Sequence, residues 1–197
     1  MAEFTAKDVQ KLRQASGAGM MDAKKALDEA TGDFDAALQA LREKGLAKAD
    51  SRSDRESSNG AIAIAQNENA VALVELKSET DFSAKAEDFL TLTQEIAELV
   101  LAGGEDSVAE KSAEIDDLRI AKKENIQLGT VRRIDIEGGS IVDAYLHTDQ
   151  EGRGINGVVV QGKDVSSEVL HEVALHIAFA KPSALSRDEV PSEEIEK

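Results

Sequence analysis

Residues 16–27 read Ser-Gly-Ala-Gly-Met-Met-Asp-Ala-Lys-Lys-Ala-Leu, and this stretch decides how the fold begins. Gly17 and Gly19 allow a tight backbone path that residues with a Cβ atom resist. Met20 and Met21 follow, where a second helix should begin, and methionine suits both irregular cores and adaptable contact surfaces. The stretch therefore predicts two helices joined by a glycine turn. It leaves open whether the methionines close a core or form a docking tip.

Capping signals extend this pattern into a small helical bundle. Thr5 and Asp8 resemble a capping box at the start of the first helix. Asp33 is suited to cap a third helix, whose apolar residues recur at helical spacing. Gly45 suggests where that third helix ends. We therefore predict a three-helix domain over residues 1–50.

The chain beyond this bundle alternates strand-like and helical segments. Residues 51–59 are polar and predict a linker. A hairpin of strands is expected at 61–65 and 71–76, joined by a short polar loop. A helix should follow, with one apolar face made of Phe89, Leu92, Ile96 and Leu99.

A similar succession recurs in the second half of the chain. Strand-like runs at 126–137 and 141–147 flank Gly138-Gly139, which predicts a second hairpin, and residues 157–160 predict another strand. The last helix should bury a face made of Val169, Leu170, Val173, Ile177 and Ala180. These patterns predict the α+β class, with a core of antiparallel hairpins packed with helices in two similar subdomains, 60–138 and 139–197.

The composition argues against several classes of function. The chain has 197 residues, no cysteine and a net charge of −16, and residues 1–55 hold equal numbers of acidic and basic residues, so the rest carries the whole excess. Such an acidic surface repels phosphate backbones, which argues against direct nucleic-acid binding. It either keeps the protein in solution as a hydrated surface or complements a basic patch on a protein partner. We expect no disulfide or thiolate metal site, no membrane-spanning segment and a cytoplasmic location.

Two motifs imitate ligand sites without meeting their requirements. Residues 152–157 match G-x-G-x-x-G, but the glycines open a strand rather than a helix, so we expect a loop instead of a nucleotide site. His171 and His176 are separated by five positions, whereas two zinc ligands on one helix face need a separation of four. Because no catalytic constellation stands out, we expect no enzyme active site, no metal and no cofactor.

Residues 79–82, Glu-Thr-Asp-Phe, lie between a predicted strand and a predicted helix. Read alone, Thr80 or Asp81 would cap the helix and Phe82 would pack locally. Together with the Gly-Ala-Gly-Met-Met-Asp stretch, however, this segment closely resembles the bacterial translation elongation factor Ts family. The resemblance runs without gaps over residues 4–48 and around 74–84.

This resemblance, which is looser over residues 124–181, implies a fold and a function. It implies that the N-terminal bundle is a ubiquitin-associated-like domain. Members of the family are guanine-nucleotide exchange factors, which bind the GDP form of the GTPase elongation factor Tu, disturb its magnesium and phosphate site and promote GDP release. The resemblance thus implies a partner protein and no bond-making reaction.

The same resemblance implies which residues meet the partner. In the family the Asp-Phe pair is pushed into the nucleotide-binding domain of elongation factor Tu, and the N-terminal module docks on a helix of that GTPase. A histidine of the core makes a further contact. The residues of this chain that match these contacts are Arg13, Met20, Met21, Thr80, Asp81, Phe82 and His147.

The chain also departs from the family pattern. Lys122-Lys-Glu-Asn125 replaces a glycine-containing Lys-Ile-Gly-Glu-Asn stretch, so the contact made by that isoleucine in some relatives is lost. A helix-start signature at residues 190–194 comes just before the chain ends, whereas the family continues into a helical hairpin and a strand. We therefore expect a C-terminally truncated or short form with an incomplete second subdomain.

Two other classes of function compete with this reading. A ubiquitin-associated-type adaptor would use the helical module to bind a different protein, and the Thr-Asp-Phe segment argues against it. A small acidic enzyme would need a catalytic constellation, which the sequence does not offer. Self-association is left open.

Overall fold

The computed structural model describes residues 4–190, so the helix expected from residue 191 onward lies outside the described residues. The helices are α1 (Ala6–Ser16), α2 (Met20–Glu29), α3 (Phe34–Asp50), α4 (Asp81–Ala84), α5 (Glu87–Gly103), α6 (Ser112–Lys122) and α7 (Ser167–Ala180). The strands are β1 (Asn59–Gln66), β2 (Ala70–Ser78), β3 (Gln127–Asp135), β4 (Ser140–Thr148) and β5 (Gly154–Lys163). Short 3₁₀ helices cover Glu105–Lys111 and Arg187–Glu189. The α+β class is confirmed.

The N-terminal helices are capped as the sequence predicts. The Thr5 amide donates to Asp8 Oδ2 at 2.8 Å and the Asp8 amide donates to Thr5 Oγ1 at 3.4 Å, which completes the capping box of α1. Asp33 Oδ1 accepts the Ala36 amide at 3.0 Å and so begins α3. The three helices enclose a small core made of Val9, Leu12, Ala23, Ala26, Leu27, Ala37 and Leu41.

The predicted end of α3 at Gly45 is wrong, because the helix continues to Asp50. Gly45 lies in the helix interior, where α6 packs against α3. A Cβ atom at Gly45 would lie 3.0 to 3.1 Å from three side-chain atoms of Ile120. The glycine is therefore explained by the close approach of a second helix and not by a helix end.

The strands form two separate sheets, which corrects the second predicted hairpin. One sheet has the order β1-β2-β3 and the other pairs β4 with β5. The turn at Gly138-Gly139 therefore joins strands of different sheets instead of neighbouring partners. Local turn chemistry marks the reversal of the chain at this point, but it does not determine which strand each arm pairs with.

Contacts divide the chain into two compact units. Among the described residues, the first comprises 4–60, Leu76–Leu92 and Ser107–Gly129, and the second comprises Ala61–Glu75, Thr93–Asp106 and 130–190. The first unit contains the whole three-helix bundle, the turn after β2 and helix α6. The subdomain boundaries given above from the sequence stay a prediction.

In the second unit α7 packs on both strands of the β4–β5 ladder. The strands are antiparallel, with Ser140 opposite Lys163 and an irregularity between His147 and Thr148. The apolar face predicted for α7 is wrong in part, because Leu170 and Ala174 are buried while Val169 and Val173 are exposed. The helix carries apolar residues around most of its circumference, so their spacing could not identify the inward face.

Gly154 offers a test of the second unit. A Cβ atom there would lie 2.1 Å from the Ile62 carbonyl oxygen and 2.8 Å from Leu146 Cδ1. We expect Gly154→Ala to lower the free energy of unfolding by about 1–3 kcal/mol, because the backbone of β1 would have to move. Urea unfolding would measure the change, and Gly138→Ala is the matched control, since its Cβ would meet no atom within 4 Å. Equal stability of the two variants would contradict the close approach.

Candidate functional site

Phe82 is the most conspicuous apolar side chain of the first unit. It lies in the short helix α4 directly after β2, and 85% of its surface is exposed. Its neighbours Ser83 and Ala84 are buried, so the turn itself is anchored while the ring is presented to solvent. The local-packing interpretation of Phe82 is therefore wrong, whereas the cap is confirmed: Thr80 Oγ1 accepts the Ser83 amide at 3.3 Å.

A distant carboxylate holds this turn. Glu124 Oε2 accepts the Thr80 amide at 3.1 Å, and Glu124 Oε1 accepts both the Thr80 hydroxyl at 2.7 Å and the Ser83 hydroxyl at 2.7 Å. Asp81 faces elsewhere and pairs with Lys85 at 3.3 Å. The two residues that flank Asp81 and Phe82 are thus tied to a single side chain that lies about forty positions away in the sequence.

The reverse connection is made by Glu79. Its Oε1 atom accepts the Asn125 amide at 2.7 Å, so the segments 79–80 and 124–125 each place a carboxylate on the backbone of the other. Asn125 is buried, and its side-chain amide donates to the Ser53 and Arg55 carbonyl oxygens at 3.0 and 2.7 Å. These reciprocal bonds make the turn after β2 and the segment after α6 one connected structure.

The sequence alone identifies Glu124 and Asn125 only as part of a variant motif and assigns them no role. The available signal was their position just past the end of an apolar helical pattern. In the structure Lys123 ends α6 in the left-handed conformation with φ of 60°, and this reversal aims the next two residues at the turn after β2. A contact across this sequence distance leaves no periodic signal in the chain.

The hydrogen bonds of Glu124 also alter its titration. Burial raises the pKa of the carboxyl, but the hydrogen bonds from Ser83 and Thr80 outweigh it and hold the pKa below its ordinary value of 4.5. Because the folded-state pKa lies below the unfolded one, this carboxylate stabilises the fold above pH 4.5, and its contribution is lost as the pH falls through the lowered pKa.

We therefore expect Glu124→Gln to lower the free energy of unfolding at pH 7 by about 1–2 kcal/mol, since an amide cannot accept on both sides. The difference from the parent chain should shrink as the pH falls from 4.5, where the unfolded chain is protonated, through the lowered pKa, where the folded parent also carries a neutral carboxyl. Urea unfolding at a series of pH values measures both effects. The exposed Glu110→Gln serves as control, and a difference for Glu124→Gln that stays constant with pH would refute the assignment.

The methionine tip consists of Met20 and Met21, the first two residues of α2. Met20 is 47% exposed and Met21 is 76% exposed, and neither belongs to the bundle core. Gly17 ends α1 in the left-handed conformation and donates its amide to the Arg13 carbonyl oxygen at 3.0 Å. Arg13 is itself exposed. Of the two readings left open by the sequence, the structure favours the surface one for both methionines.

His147 lies near the end of β4 in the second unit and is exposed. Its Nδ1 atom is 3.2 Å from the Tyr145 hydroxyl, and the two rings stack with centroids 6.3 Å apart. Tyr145 also meets the ring of His171 edge-on, and His171 Nδ1 lies 3.2 Å from Asp143 Oδ2. These aromatic contacts fix the direction in which the imidazole of His147 points.

The two motifs that imitate ligand sites in the sequence are the G-x-G-x-x-G match at residues 152–157 and the pair His171 and His176, and both lie in ordinary structural positions. Gly154 and Gly157 lie inside β5, so the loop expected over residues 152–157 is wrong from Gly154 onward, and the strand begins earlier than predicted. Within residues 4–190, no cluster of three or more His, Cys, Asp or Glu side chains has a geometry that could hold a metal ion. None of the described helices combines the length and apolarity needed to cross a membrane.

Comparison with known proteins gives one consistent result. Residues 79–197 match the family model described as elongation factor TS. A protein from Cutibacterium acnes called elongation factor Ts is 45% identical over 98% of this chain and 73% of its own length. Proteins of the same name from Paenarthrobacter aurescens and Xanthomonas campestris pv. campestris are 37% and 41% identical, over 74% and 68% of their lengths.

Proposed function

Because the chain belongs to the elongation factor Ts family of translation elongation factors, we propose that it is a guanine-nucleotide exchange factor for elongation factor Tu. It binds the GDP-bound GTPase, distorts the magnesium and phosphate end of the nucleotide site and lets GDP leave. GTP then binds and displaces the factor. The chain makes and breaks no covalent bond in this cycle.

The observation that carries the proposal is the exposed ring of Phe82 on an anchored turn. The Phe82 side chain is 85% exposed, so in the free chain it gains little free energy from burial of its apolar surface. A partner that accepts the ring in an apolar site supplies that free energy on binding. The hydrogen bonds of Thr80 and Ser83 hold the backbone beneath the ring, so little order has to be imposed on binding. This combination suits a wedge, by which we mean the Phe82 ring inserted into the partner, better than it suits a core residue.

The methionine tip and Arg13 supply a second contact in this proposal, and His147 a third. Methionine side chains adapt to a helix surface, and an exposed arginine adds a charge for an acidic group on the partner. The net charge of −16 resides outside residues 1–55, so the tip is presented by a segment that is itself neutral overall. That distribution permits the tip to approach a surface of either sign.

Exchange in this scheme is a coupling between two binding equilibria. If the factor weakens the binding of GDP to elongation factor Tu by a given ratio, GDP weakens the binding of the factor by the same ratio. This equality concerns equilibrium constants and is independent of the exchange rate. The complex should be tightest with nucleotide-free elongation factor Tu and weaker when GDP is in excess.

The deciding experiment is the release of a fluorescent GDP analogue from purified elongation factor Tu. Addition of the chain should accelerate release in proportion to its concentration until the complex saturates. Calorimetric titration with and without excess GDP tests the reciprocal coupling. Tight binding without faster release would favour an adaptor, and the absence of both binding and acceleration would reject the proposal.

A further inference from the structure

We propose that Glu124 is a positioning residue for Phe82: its carboxylate fixes the turn that carries the ring and so sets the direction in which the wedge points. The inference rests on the proposed exchange function for its consequence. The positioning itself concerns this chain alone and can be tested without elongation factor Tu.

The ring cannot be positioned by its own contacts. Phe82 is 85% exposed, so few neighbouring atoms restrict its side chain, and its average direction follows from the backbone beneath it. That backbone is helix α4, which has only four residues. A single helical turn has little stability of its own, because nucleation fixes several dihedral angles for one hydrogen bond. The turn therefore needs an external hold.

Glu124 provides this hold from both sides of the wedge. Its two oxygens accept from the Thr80 amide, the Thr80 hydroxyl and the Ser83 hydroxyl, which flank Asp81 and Phe82. One rigid carboxylate group that binds both ends of a four-residue segment fixes its position and its rotation together. Hydrogen bonds to an ionised acceptor are also about twice as strong as neutral ones.

The Glu124 carboxylate is itself held in place by the interactions of its neighbours. Glu124 follows the end of α6, where Lys122 Nζ pairs with Asp88 Oδ1 at 2.7 Å. On its other side the Asn125 amide donates to Glu79 and the Asn125 side chain is bonded to the Ser53 and Arg55 carbonyls. Because the backbone around Glu124 is restricted by these interactions, the carboxylate can in turn restrict the segment that carries Phe82.

The kinetic test separates positioning from general stability. Glu124→Gln should reduce the saturating rate of GDP release by about tenfold, since small misplacements of a positioned group cost up to about 100-fold. In a Phe82→Ala background the same substitution should change the rate by less than about twofold, because a residue that acts through Phe82 has nothing left to position. The exposed Glu110→Gln should leave the rate unchanged in both backgrounds.

A spectroscopic test needs no partner. The chain contains no tryptophan, so Phe82→Trp introduces a single indole at the wedge position. Its fluorescence anisotropy should fall when Glu124→Gln is added and stay constant when Glu110→Gln is added. Ser83→Ala removes one of the three bonds and serves as a milder second variant, with circular dichroism as the check that both variants fold.

The outcomes are distinct. Reduced anisotropy together with a non-additive cycle supports the positioning role. Unchanged anisotropy in both Glu124→Gln and Ser83→Ala overturns it, whatever the exchange assay gives, and so does full additivity of the rate effects. If the parent chain does not accelerate GDP release at all, the exchange function fails, while the anisotropy still decides whether Glu124 fixes the turn.

Discussion

Phe82→Ala is expected to slow stimulated GDP release by about 30-fold or more while the fold stays intact. Truncation of an aromatic hot-spot residue at an interface costs about 2 kcal/mol or more, and each 1.4 kcal/mol corresponds to a factor of ten. Because the ring is 85% exposed in the free chain, its removal leaves no cavity in the core. The loss should therefore appear in exchange and not in stability.

The measurement is the release of fluorescent GDP from elongation factor Tu over a range of factor concentrations, together with a thermal melt. Phe179→Ala is the matched control, since Phe179 is 91% exposed and lies on α7 in the other unit. The control should release GDP at the parent rate. A folded Phe82→Ala variant with parental activity would show that the ring is not the wedge.

The second large effect is expected at the methionine tip. Changing Met20 and Met21 together to aspartate should weaken the complex with elongation factor Tu by about 30-fold or more, since two adjacent apolar contacts are lost at an interface. The melting temperature should stay the same or rise. Both residues lie in the first turn of α2, where negative charge interacts favourably with the helix dipole by about 0.3–1 kcal/mol.

Isothermal titration calorimetry beside a thermal melt checks both parts of this prediction. Changing the same two residues to glutamine removes the apolar contact without adding charge, and Leu185→Asp tests an exposed apolar residue in the other unit. Glutamine variants with parental affinity would attribute the effect to charge repulsion alone. Unfolding of the aspartate variant would show that the two methionines stabilise the fold and would contradict the prediction.

The features that sequence reasoning predicted are those encoded by neighbouring residues. The capping box of Thr5 and Asp8 and the cap at Asp33 are local hydrogen-bond patterns, and each begins a helix where expected. The first strand pair and α5 follow from periodicity within one segment. Such signals need no knowledge of what packs against the segment.

The errors arise where a distant segment decides the outcome. Gly45 resembles a helix end until Ile120 of another helix is placed beside it. The turn at Gly138-Gly139 reverses the chain as a hairpin would, yet β3 and β4 belong to different sheets. For α7, apolar residues lie around most of the helix, so only the strands beneath it determine that Leu170 and Ala174 face inward.

The candidate site likewise has one part that the sequence predicts and another that depends on distant segments. The resemblance supplied the partner-facing residues, and their exposure could not be read from the sequence, because a methionine or a phenylalanine fits a core equally well. Glu124 was missed because its hydrogen bonds reach Thr80 and Ser83 across a long stretch of sequence. Carboxylates are abundant in this acidic chain, so composition gave no reason to single one out.

Helix α6 contacts the bundle and also leads into the segment that holds the Phe82 turn. Its Ile120 meets α3 at Gly45, Arg42 of α3 pairs with Asp117 at 3.1 Å, and Glu124 lies directly after Lys123, which caps its C-terminal end. The two proposed contact points of the first unit are thereby tethered without a flexible linker. Once one of them engages a partner, the other is present at a high effective concentration. Avidity for elongation factor Tu would then depend on the seam between α3 and α6, although no residue of that seam needs to touch the partner.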